Sequence, residues 1–138
     1  MLAELSEIEG MLRRTIRSGL TWGSGDRQLP AFAWETYRSV LALHLPQESW
    51  RWVAGAYDDV NTANWHVIEL EREFGKPGPI HFEDTEWLRG PFRAVWVAME
   101  QLERVIGPHG GVYTYTGRVS LEELEAELWP TEEEPFGH

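Results

Sequence analysis

Apolar residues recur at intervals of three and four in four separate stretches, and this periodicity constrains the fold more than any other feature. Leu5, Ile8, Leu12 and Ile16 mark the first; Trp34, Tyr37, Leu41 and His44 the second. Trp50, Val53, Tyr57, Val60, Asn64 and Val67 mark the third, and Phe92, Val95, Met99, Leu102 and Ile106 the fourth. Each spacing places its residues on one side of an α-helix. Helices are therefore predicted over residues 1–18, 31–44, 46–74 and from Pro91 to the Gly107-Pro108 pair. Four helices that each carry an apolar stripe need one another to bury those stripes, so the expected fold is all-α, an antiparallel four-helix-type bundle.

The boundaries carry matching signals. Leu45-Pro46 ends the second helix, and Pro46 opens the third with Glu48 in its first turn. Gly75 and Pro77 stop the third. Ser120 and Glu123 form a capping-box pattern ahead of a short C-terminal helix that Pro130 ends. Between these, VYTYT at 112–116 alternates and is β-prone, and is expected to pair with residues 80–82. Residues 1–130 read as one domain and 131–138 as a flexible acidic tail.

The third helix contains a stretch, YDDVNTANW at 57–65, rich in poor helix formers. Its five Asp, Asn and Thr residues together cost roughly 2–3 kcal/mol relative to Ala. The apolar phase nevertheless continues through it, since Val67 and Ile68 fall where Trp50, Val53, Tyr57 and Val60 place them. One continuous helix stabilised by packing is therefore expected. Asn64 falls on the apolar stripe, and Asp58, Asn61 and Trp65 flank it. A second, thinner apolar stripe of Trp52, Ala56, Ala63 and Leu70 is read nearly opposite the first. Such a helix is either central in the bundle or half of an oligomer interface.

Two functional readings follow. The first is a non-catalytic protein–protein interaction or accessory module. Self-association or a protein partner would use Trp52, Ala56, Ala63, Leu70 and Trp129, together with the acidic C-terminal segment. The second is a small-ligand-binding or metal-dependent enzymatic bundle. Its pocket would comprise Tyr37, Arg38, Tyr57, Asp58, Asn61, Asn64 and Trp65, walled in part by Trp34. Asn64 separates the two: it is either a pocket residue or a buried amide that fixes helix register.

Composition narrows the chemistry. The chain has 138 residues, no Cys, eight Trp and a formal net charge of −11. Without Cys there is no disulfide, thiolate nucleophile or cysteine-ligated metal. The last 21 residues hold seven Glu and one Arg, so more than half of the excess charge sits there. No basic stripe exists to offset phosphate charge, which disfavours nucleic acid as a partner. No apolar run approaches the ~18 residues of a membrane span, and the acidic N-terminal stretch does not resemble a targeting peptide. A cytoplasmic protein is expected. The five His include no pair four apart; His66-x-x-Glu69 and His81-x-Glu83-Asp84 are the nearest approaches to a ligand set. No metal, cofactor or catalytic residue is assigned, and catalysis is disfavoured. Trp at eight positions points either to covered bundle ends or to a contact surface.

Overall fold

The computed structural model describes residues 1–22, 28–75, 80–110 and 120–130, with the side chains of 106–110 excepted. Five α-helices appear among them: α1 (Leu2–Ser18), α2 (Phe32–His44), α3 (Gln47–Phe74), α4 (Arg89–Gly110) and α5 (Leu121–Leu128). A 3-10 turn, Glu86–Leu88, leads into α4. The fold is an all-α bundle, as the periodicity requires.

The helix α3 runs unbroken for 28 residues through YDDVNTANW. Its poor formers are carried by a wide buried face of Val53, Ala56, Tyr57, Val60, Ala63, Asn64 and Val67. At about 100° per residue, Ala56 and Ala63 lie beside the main stripe rather than opposite it. The two stripes are one broad face, and both alanines are buried. This corrects the expectation of an outward second stripe.

The helix α4 is the hub, and α1, α3, the 3-10 turn and α5 all pack on it. Ser49 near the start of α3 donates to Gln101 toward the end of α4, 3.1 Å away, so these two run antiparallel. Leu5, Ile8, Leu12, Val53, Val60, Val67, Phe92, Val95 and Met99 form the common core. Burial of each large aliphatic or aromatic side chain contributes about 1.5–3 kcal/mol, which is how a helix with a weak centre persists.

The connection from α1 to α2 does structural work of its own. Gly19 closes α1 in a left-handed conformation, φ 77°, with its N–H on Thr15 O. A Cβ there would lie 2.5 Å from the carbonyl oxygen of Phe82, so only glycine fits on both counts. The chain then forms an antiparallel bridge, Leu20 opposite His81, framed by Phe82 N to Gly19 O (2.7 Å) and Thr21 N to Ile80 O (2.9 Å). Residues 80–82 are thus extended, but their partner is 19–21. The expected strand at 112–116 and the tail at 131–138 lie outside the described residues. Further along, Leu29 docks on α3 at Asn64, and α2 begins only at Phe32. Leu29 thus meets α3 two turns beyond Tyr57, and Trp34 of α2 packs on Tyr57 and Trp50.

Candidate functional site

Asn64 uses its whole amide on one residue. Its Oδ1 accepts from Leu29 N at 2.9 Å, and its Nδ2 donates to Leu29 O at 2.8 Å. A side-chain amide reproduces the backbone's donor–acceptor pair, so it holds an extended segment as a neighbouring strand would. Leu29 and Asn64 are both buried. Asn64 therefore fixes the entry to α2.

Tyr57 lies under the start of α2 and is fully buried. Trp34 stacks on its ring at 5.2 Å with 8° between planes, and Trp50 packs on Trp34 at 5.0 Å. The Tyr57 hydroxyl donates to Glu4 Oε1 at 2.7 Å. The same carboxylate accepts from Ala33 N at 3.2 and 3.0 Å. Helix α2 has no side-chain cap from Ala31, so Glu4 of α1 caps it from outside and sets a negative charge at its positive end. Burial, then the Glu4 hydrogen bond and charge, push the Tyr57 phenol above its ordinary range. Burial and the charge of Asp58 likewise raise the Asp59 carboxyl. No local pattern marks Glu4, because its partners lie 29 and 53 residues away.

The remaining pocket residues are not gathered around these two. Tyr37, Arg38, Asp58, Asn61 and Trp65 are exposed, whereas Tyr57 and Asn64 are buried with their polar groups engaged elsewhere. A cleft of about 390 Å³ does occur, lined by Glu7, Met11, Arg14, Leu20, Thr21 and Trp22 among others, and it is open to solvent. None of the residues expected to bind a ligand lines it. Among the described residues no three or more His, Asp and Glu gather as a metal set. No helix among them is long and apolar enough to cross a membrane.

The tryptophans sort into places. Trp22 and Trp87 pack together at 6.3 Å, with Phe82 and His66 on Trp87 at 5.2 and 4.9 Å. Trp129 meets Phe92 at 6.0 Å and lies under the Arg89 guanidinium. It joins α5 to α4 and is half-buried, so the proposed outward role of Trp129 does not describe its packing. Leu70 is half-buried too, and Ala56 and Ala63 are internal; of the five residues expected on that surface, Trp52 is the exposed one.

Among the described residues, the densest run of exposed large apolar side chains lies on α2. Among the described residues of this helix, Trp34 alone is buried. Phe32, Tyr37, Val40 and Leu43 are 76%, 52%, 54% and 82% exposed. Phe32, Thr36, Val40 and Leu43 fall within a sector of about 80° and run for roughly 16 Å along the helix. Glu35 and Arg38 sit on the other side of it. Comparison with protein-family models, curated proteins and solved structures finds no match.

Proposed function

We propose that the protein is a non-catalytic interaction module that binds another protein chain through the exposed face of α2. One observation carries this reading: a 13-residue helix of largely apolar composition leaves Phe32, Tyr37, Val40 and Leu43 in water. An isolated helix of this length is marginal, and most helices are held by burial of their apolar face. With Tyr37 flanking the stripe of Phe32, Val40 and Leu43, exposed side chains of this size on one side of the helix amount to several hundred Å² of apolar surface, the scale at which contact sites begin. The face contains aromatic anchors and carries no charge at its centre, which matches the make-up of interface cores. Engagement of Tyr57 by Glu4 and of Asn64 by Leu29 weighs against a ligand pocket at 57–65.

A photo-crosslinking amino acid placed at Leu43 tests the reading in cells that make the protein. Adducts with a protein chain are expected from position 43 and not from Thr62, which is exposed on α3. If position 43 gives no more adduct than position 62, the reading is lost.

A further inference from the structure

We infer that the occupant of this face is a second copy of the chain, packed α2 against α2 in antiparallel sense about a two-fold axis. The inference rests on the interaction reading above and names its partner. Its basis is the order of residues along the stripe. Phe32, Thr36, Val40 and Leu43 are nearly symmetric about the middle of the helix, large at both ends and small between. Reversed and laid against itself, the stripe sets Phe32 on the partner's Leu43 and Thr36 on the partner's Val40. An isologous interface needs this self-complementarity, and an unrelated partner does not.

Charge permits the pairing, and area limits its strength. A chain of net charge −11 opposes its own copy unless the seam is neutral. Here it is: Glu35 and Arg38 are the charged residues of α2, they cancel, and both point away from the stripe. More distant acidic groups are screened beyond about 8 Å at physiological salt. Antiparallel packing also sets the two helix dipoles head to tail, whereas parallel packing aligns them. The four exposed side chains offer on the order of 400–500 Å² per protomer. That is more than half of the ~800 Å² per partner of a standard interface, and Thr36 and His44 widen the face. The contact is therefore of modest size and concentration-dependent.

The full chain, studied by light scattering after gel filtration at about 50 μM, is expected at twice its 16.0 kDa mass and to dissociate on dilution. Leu43→Glu, at a position that packs on little within its own chain, is expected to keep the circular dichroism spectrum and return the mass to 16.0 kDa. The dissociation constant should rise by at least about 100-fold, since two charges enter an apolar seam. Because the chain has no Cys, introduced thiols report geometry cleanly. A mixture of Phe32→Cys and Leu43→Cys chains should form the mixed disulfide faster than either chain forms its own. Faster self-disulfides would overturn the antiparallel arrangement. A wild-type monomer at 50 μM, or a dimer untouched by Leu43→Glu, would overturn the second copy. If that monomer still crosslinks from position 43 in cells to a different protein, only the identity of the occupant has failed; a crosslink only within its own chain overturns the interaction reading as well. If it crosslinks to nothing, the interaction reading has failed with it.

Discussion

Asn64 shows how one side chain can look functional and be structural. Its amide substitutes for a strand edge, and removing it strands the buried N–H and C=O of Leu29. Each unsatisfied group costs about 1–3 kcal/mol, so Asn64→Leu is expected to lower stability by roughly 2–4 kcal/mol, read as a reduced urea midpoint. A variant as stable as wild type would remove the anchoring role. Tyr57 makes a second, pH-dependent prediction. Its phenol is raised above the ordinary value of 10.0, so the folded state holds its proton when the unfolded state has lost it. The stabilisation is complete below pH 10.0 and is lost as pH rises beyond it, at up to about 1.4 kcal/mol per pH unit. Urea titrations of wild type and Tyr57→Phe above pH 10.0 should show a steeper decline for wild type. Equal slopes would mean that Tyr57 ionises freely in the folded protein.

At the scale of elements, Gly19 and Glu4 decide where helices stop and start. Gly19→Ala would force a side chain into a left-handed conformation and against the carbonyl of Phe82. A loss of about 2 kcal/mol or more is expected, measured as a drop in melting temperature. How much of this was legible follows from the range of each signal. The period of Trp50, Val53, Tyr57, Val60 and Val67 reads through YDDVNTANW because helical phase is local, and Ser120 caps α5 through Glu123 N as its spacing indicates. Proline and glycine punctuation likewise places the ends of α2 and α3. Glu4 was invisible because its acceptor role depends on Ala33 and Tyr57, which only the folded chain brings near. The sequence marks 80–82 as extended, yet no local rule chooses 19–21 as their partner. For α2 the period picks out the side of Trp34, Tyr37, Leu41 and His44, of which Trp34 alone is buried among the described residues. The exposed run of Phe32, Val40 and Leu43 lies on a different side of the helix, and what covers it is a tertiary property.

Across the whole molecule, α5 is held to the bundle by charge as much as by apolar contact. Leu121 and Leu124 are buried, and the buried carboxylate of Glu125 takes Arg89 Nε at 3.0 Å and Arg93 Nη1 at 2.8 Å. Arg17 of α1 adds an exposed pair with Glu127 at 2.6 Å, worth little in water. The two sides of the Glu125 cluster are not equivalent. Glu125→Ala frees two arginines that are half in water already, with an expected cost of about 1 kcal/mol or less. Replacing Arg89 and Arg93 together leaves a buried carboxylate unpaired, and about 3 kcal/mol is expected. Amide exchange across residues 121–128 should therefore speed up much more in the double arginine variant. Little change in either variant would show that apolar packing alone holds α5.

The bridge between residues 19–21 and 80–82 has a consequence for how the chain is made. Helix α1 leaves the ribosome before the other four helices, yet the segment that closes over its last turn is synthesised some sixty residues later. Its main packing partner, α4, emerges later still. A 17-residue helix without tertiary contacts is marginal in water, so α1 waits as a fraying segment while α2 and α3 appear. The hairpin of α2 and α3 is then the earliest piece able to assemble. During synthesis the apolar stripe of α2 is displayed before the rest of the bundle exists.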